Sequence, residues 1–259
     1  MRIYIVIDEN SFFHPSFLND LLKNIKDEVV GVALVCKIPE KNNLGFYLMK
    51  NWYYLTILEI AKLLCNKIKH KIFDISNLGI NNENFGSVRS VLKKYQIDFI
   101  KVENNINKKN YLKHIHSAKP DVILSSNSLI FNNEILSASR ICCINRHSSL
   151  LPSYGGLWPI FHAYINREKY VGVSVHIMNK KIDSGHILSQ EKIQIEKIDT
   201  IFTLYKKCFN ISSRVVISAL DKIRKSDMSL IQNNYETSYF SFPQKKDWKL
   251  FRKYGGKFI

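Results

Sequence analysis

The chain has 259 residues, 46 % apolar, 12 % aromatic and 23 % charged, which excludes a disordered or fibrous protein and allows a sizeable core without disulfide or metal staples. Thirty-eight Lys and Arg against 22 Asp and Glu give a formal charge of +16, the balance expected for a polyanionic partner. Yet 30 of those bases are Lys and 8 are Arg, a mixture that equally fits compositional drift on a solvated surface, and scarce Arg argues against a dedicated nucleic-acid binder.

Arg2–Ile7 is a compact β-branched run and reads as a buried strand. An amphipathic helix is predicted over Pro15–Ile25 and a second buried strand over Val29–Val35. Leu44–Cys65 reads as one longer helical stretch whose Trp52, Tyr53 and Tyr54 pack against the body. Helical spacing recurs over Gly86–Gln96, with Val88, Val91 and Leu92 on one side, and Ile97–Val102 is strand-like. Lys108–Ala118 reads as a helix, with His114 and His116 on its surface; Pro120-Asp121 breaks it before a strand at Val122–Leu124. A short helix at Glu134–Ala138 and a strand at Ile141–Ile144 follow.

After Val171 the pattern changes. Val171–Met178 and Ile187–Ile195 alternate, with a turn over Lys180–Gly185, and read as an antiparallel pair. Thr200–Ile223 is a long helix. The tail from Ser226 carries eight aromatic or proline residues between Tyr235 and Tyr254, so it is expected to fold back on the body, or to serve a dimer contact. The fold class expected is α/β: a Rossmann-like, mostly parallel sheet with helices on both faces and antiparallel strands added late.

Five cysteines without C-x-x-C spacing read as reduced thiols of a cytoplasmic protein. The N-terminus lacks a signal-peptide pattern, no stretch is apolar enough to span a membrane, and no metal-ligand spacing occurs. No G-x-G-x-x-G follows a strand, which argues against a dinucleotide site. A serine hydrolase fails for lack of a G-x-S-x-G elbow.

The chemistry concentrates at Ile144–Pro152. Asn145 and His147 alternate at a strand end and so point the same way, where a parallel sheet places its ligand. Asp183 lies 36 residues beyond His147. An amide, an imidazole and a carboxylate fit oxyanion stabilisation with proton transfer. They fit equally a capped strand end with a surface histidine.

The run Asn145-x-His147-x-Ser149-Leu150-Leu151-Pro152-x-Tyr154-x-Gly156, then Pro159-Ile160, Gly172-Val173-Ser174-Val175-His176 and Asp183-x-Gly185 resembles the 10-formyltetrahydrofolate-dependent formyltransferases. The likeness is dense over Pro120–Ile195 and loose over the first 119 residues. It implies Asn145, His147 and Asp183 as the catalytic set, with His147 protonated to stabilise an oxyanion, and Ser174 in support. It implies 10-formyltetrahydrofolate as co-substrate, held along Leu129, Ile130 and Phe131 and along Met178, Asn179, Lys180 and Ile182. Tyr154 and Trp158 become candidate stackers for the acceptor; for Trp158 core packing is the alternative. Ser148 stands where many relatives have Pro, and Gly155 where many have Arg or Lys, which touches how the acceptor's phosphate or sugar is held.

The catalytic domain is expected to span residues 1–225, with 226–259 a short extension packed on it. That remainder is too small for the barrel that methionyl-tRNA formyltransferases add, and Asp8–His14 lacks the glycine-rich phosphate loop of glycinamide ribonucleotide transformylases. Tyr239–Pro243 is similar to the segment that follows the core in sugar-nucleotide N-formyltransferases and related enzymes. The resemblance thus implies a dTDP- or UDP-linked amino dideoxy sugar as acceptor, destined for a bacterial surface polysaccharide. Another amine such as methionyl-tRNA, or a non-catalytic nucleic-acid-binding descendant, are the alternatives. Neither a membrane nor a nucleic acid is expected as a partner.

Overall fold

The computed structural model describes the chain except residues 10, 41–42, 77–83, 228, 230 and 232. Within the Asp8–His14 turn, Asn10 therefore lies outside the described residues. The elements are β1 (Arg2–Asp8), α1 (His14–Asn24), β2 (Glu28–Lys37), α2 (Leu44–Lys50), α3 (Ile57–Ser76), α4 (Val88–Lys94), β3 (Phe99–Glu103), α5 (Lys109–Ser117), β4 (Val122–Ser126), α6 (Asn133–Leu136), β5 (Cys142–His147), β6 (Gly155–Gly156), α7 (Pro159–Ile165), β7 (Tyr170–Ile177), β8 (Ile187–Gln194), α8 (Ile201–Arg224), β9 (Tyr239–Phe240) and α9 (Lys245–Lys253).

Seven strands form one sheet in the order β3-β2-β1-β4-β5-β7-β8. The first five run parallel, β7 is antiparallel to β5, and β8 to β7. The α/β, mostly parallel architecture and the late antiparallel pair agree with the sequence pattern. Alternation along β1 divides the core. Ile3, Ile5 and Ile7 face α1 and α8, and Tyr4 and Val6 face the layer with Ile115 and Ile135. Truncating a fully buried residue such as Ile5 to Ala should cost about 2–5 kcal/mol.

The stretch Leu44–Cys65 is not one helix. α2 ends at Lys50 with Asn51 as its C-cap, a 3-10 turn spans Trp52–Tyr54, and α3 starts afresh. Thr56 and Glu59 cause the restart: Glu59 N–H donates to Thr56 Oγ1 at 3.2 Å, and Thr56 N–H to Glu59 Oε2 at 2.8 Å. This reciprocal cap satisfies donors that a continuing helix would have to bond internally. Of the three aromatics expected against the body, only Tyr54 packs there, stacked on Trp248. Trp52 and Tyr53 are 63 % and 58 % exposed.

The segment beyond α8 lies on the body, with Trp248, Phe251 and Phe258 buried in the same core as β1. Gly155–Gly156 pairs with Tyr239–Phe240 as a two-stranded ladder. All five cysteines are free. Among the described residues, no helix is long and apolar enough to cross a membrane, and no His, Cys, Asp and Glu group could hold a metal ion.

Candidate active site

Asn145 and His147 project from β5 on the same face as Cys143. The antiparallel register sets His176 directly opposite Asn145, and their side chains meet at 3.3 Å between Asn145 Nδ2 and His176 Nε2. Asp183 reaches this pair on the turn between β7 and β8. Its Oδ1 lies 3.4 Å from Asn145 Nδ2 and 3.5 Å from His176 Nε2; its Oδ2 lies 3.8 Å from His147 Nδ1. All three residues of the expected set converge, and His176 joins them.

Two glycines make the convergence possible. A Cβ on Gly185 would sit 1.6 Å from the Ile177 carbonyl oxygen, so only glycine lets the turn close against β7. Gly156 has φ +87°, a region that favours glycine, and a Cβ there would meet the Phe240 carbonyl at 2.2 Å. Its N–H donates to Asp183 Oδ2 at 2.8 Å.

These contacts set the charges. Burial alone would raise the Asp183 carboxyl, but the imidazoles of His147 and His176 and the Gly156 N–H outweigh it, holding the group well below the usual carboxylate range. Burial lowers the His147 imidazole, and the pull of Asp183 does not restore it. His147 Nε2 lies 3.1 Å from the Tyr154 carbonyl; a carbonyl only accepts, so Nε2 carries the hydrogen and Nδ1 is the free nitrogen. Desolvation thus works against the charged imidazole in the resting site, with Asp183 opposing it.

A further carboxyl lies at the end of β1. Asp8 is buried, and desolvation pushes its pKa up to about 7 against a hydrogen bond from Ser128 Oγ at 3.0 Å. Among the described residues, its Oδ1 has no hydrogen-bond partner.

The other expected residues divide. Ser174 is fully buried; its hydroxyl donates to the Ser149 carbonyl at 2.6 Å and accepts from Leu151 N at 3.0 Å. These two bonds brace the Ser149–Pro152 loop beside the site. Trp158 is buried among Tyr47, Phe161, Phe242, Trp248 and Phe258, so it packs the core rather than presenting a stacking face. Tyr154 is half-buried, stacks on Phe240 and donates its hydroxyl to Glu168 at 2.7 Å. It borders a cavity that also touches Ser149, Tyr170 and Tyr235.

Leu129, Phe131 and Met178 share one apolar cluster on the Asn145 face of the sheet. Ile130 and Ile182 are exposed, as is Lys180. The Ile130 carbonyl and the Asn132 N–H are both held by the Asn107 amide, at 2.9 and 2.8 Å. Asn179 Oδ1 accepts from Lys181 N and Ser184 Oγ, shaping the turn that delivers Asp183. The Ser148 departure has a local reason: its hydroxyl accepts from buried Arg146 Nη2 at 2.7 Å. His176 and Asn107 were not singled out as site residues from the sequence. His176 carried a signal, two positions after Ser174 on an alternating strand; Asn107 carried none.

This fold and this constellation coincide with a known group. Residues 59–220, more than half of the chain, match the formyl transferase family, and the chain belongs to it. The family's formyl donor is 10-formyltetrahydrofolate. Methionyl-tRNA formyltransferase of Thermotoga maritima is 33 % identical over 161 residues, 62 % of this chain and 51 % of that protein. The chain thus spans about half the length of the curated relatives it matches first. Among solved structures, glycinamide ribonucleotide transformylase 1 of Symbiobacterium toebii superposes with a TM-score of 0.59 at 15 % identity, covering 87 % of this chain and 88 % of that one. A sugar N-formyltransferase of a Shewanella species superposes with 0.57 at 18 % identity, covering 97 % and 87 %. Both agree in fold.

Proposed function

We propose that this chain moves the formyl group of 10-formyltetrahydrofolate to the primary amine of a nucleotide-linked amino dideoxy sugar, dTDP- or UDP-linked. The observation that carries formyl transfer is the meeting of Asn145, His147 and His176 on one ionised carboxylate, Asp183. The acceptor amine attacks the formyl carbon and a tetrahedral oxyanion forms. Asn145 Nδ2 donates to it. His147, neutral at rest, accepts the amine proton on Nδ1 and returns it to the folate nitrogen as that C–N bond breaks. Asp183 balances the transient imidazolium, and His176 keeps the carboxylate aligned. The apolar cluster of Leu129, Phe131 and Met178 beside this set suits a flat heteroaromatic ring.

For the sugar acceptor, the support is reach: the Shewanella enzyme's fold follows 97 % of this chain, against 87 % for the ribonucleotide transformylase. The extra coverage fits a shared downstream segment, and here Tyr239–Phe240 adjoins the site loop. Formylation of methionyl-tRNA is the second reading, favoured by 33 % identity to the Thermotoga enzyme and by the +16 charge. The protein should be incubated with 10-formyltetrahydrofolate and a panel of dTDP- and UDP-linked 3-amino and 4-amino dideoxy sugars, with methionyl-tRNA in parallel. A one-formyl mass gain on a sugar nucleotide is expected. Gain on methionyl-tRNA alone overturns the sugar reading; gain on neither overturns transfer to both.

A further inference from the structure

α3 sits on the body by polar contacts around Leu63, which packs against the core. Glu59 pairs with Arg252 at 2.5 Å and accepts from Phe258 N at 2.6 Å. His70 Nδ1 meets the Gly86 carbonyl at 3.2 Å, and Asp74 accepts from Gly86 N and Ser90 Oγ at 3.0 and 2.6 Å. The opposite side is apolar and outward. Ile57, Leu58, Leu64, Ile68, Ile72 and Ile75 are each between 56 and 87 % exposed. At 3.6 residues per turn they fall within an arc of about 120°. An ordinary surface helix of a globular protein has the reverse arrangement, and a continuous apolar stripe along some 30 Å of helix marks an interaction surface.

The charges beside the stripe identify the partner. Lys67 and Lys71 border one edge of the arc, Lys62 and Lys69 the other, all exposed. A second copy of this chain laid along the stripe would bring lysines against lysines in either direction. Trp52 and Tyr53, exposed just ahead of the helix, are residue types that settle at a membrane–water boundary. We propose that α3 lies in the plane of an anionic membrane surface, its isoleucine and leucine side chains entering the acyl boundary and its flanking lysines meeting lipid phosphates. This departs from the expectation of no membrane partner. It needs no spanning helix and is independent of the acceptor.

Flotation of the full chain with vesicles tests it, using phosphatidylcholine alone and phosphatidylcholine with phosphatidylglycerol. Because +16 attracts any anionic surface, the deciding variant keeps the charge: Ile68→Ser with Ile72→Ser. We expect flotation with the anionic vesicles only, weakened by 0.5 M salt, and weakened at least about tenfold by the double serine substitution. Reversing Lys62, Lys67, Lys69 and Lys71 to Glu should lower binding by well over tenfold. Equal binding of the serine variant, with an unchanged thermal midpoint, overturns the proposal in favour of bulk attraction. Absence of wild-type flotation at low salt overturns it too, and a monomer–dimer equilibrium abolished by the same serines would then assign the stripe to a second copy.

Discussion

The Gly156 N–H donates to Asp183 Oδ2 at 2.8 Å from a backbone turned to φ +87°. One peptide group thereby fixes the carboxylate that the two histidines and the asparagine share. Gly156→Ala should be harmful on two counts, since the added Cβ meets the Phe240 carbonyl and the φ no longer suits the residue. A stability loss of about 1–3 kcal/mol is expected, with formyl transfer reduced at least tenfold in kcat. An alanine variant with wild-type melting and kcat would show that the contact does not position Asp183.

Asn145→Ala removes an oxyanion donor, and kcat should fall by about 100- to 1,000-fold with little change in KM. His147→Ala and Asp183→Asn should be comparable, and the double variant no worse than the weaker single one, because residues acting as a unit are not additive. Additive losses would mean that the two act separately.

His176→Asn tests a residue that touches Asp183 but not His147 within bonding range. Its loss should act through Asp183, lowering kcat less than His147→Ala does while retaining KM. A loss as large as that of His147→Ala would give His176 a direct part in proton transfer.

The proposed transfer uses His147 as a base, and burial holds its pKa below the ordinary value of about 6.5. The rate should rise with pH through that depressed pKa and stay level at neutrality. Single-turnover rates between pH 5 and 8 check this; a limb centred above about 7 contradicts it.

Asp8 offers a stability counterpart. Its folded pKa is raised to about 7, above the unfolded value, so its contribution is fully present below about pH 4 and is lost as pH rises through 7. Asp8→Asn should be more stable than the parent at pH 8.5, by up to about 4 kcal/mol, and close to it at pH 4. Identical pH dependence of the two proteins would show that Asp8 ionises freely.

Much of this arrangement was legible in local sequence. Alternation located β7 and β8, and Thr200 marks the start of α8, where it accepts from Thr203 N. Asn145, His147 and Asp183 stood out by type and order. What escaped depends on contacts distant in sequence or on competition between caps. The Thr56–Glu59 box that splits 44–65 is a local signal overridden by the surrounding apolar run. Spacing within β7 puts His176 on one face with Ser174, but its contact with Asn145 and Asp183 arises from cross-strand register. The burial of Trp158 depends on Phe242, Trp248 and Phe258, some ninety residues on. Ladders of two residues, such as β6 with β9, leave no periodicity to read.

That ladder also orders events in time. Tyr154 and Ser238 bond across 84 positions, and the downstream partner emerges from the ribosome later. The parallel sheet and Asn145 can be in place while the Gly155–Gly156 segment still lacks its neighbour, so the brace on Asp183 waits on the late segment. A nascent chain would acquire its parallel sheet before its reactivity, and activity is therefore a stricter reporter of complete folding than helix or sheet content.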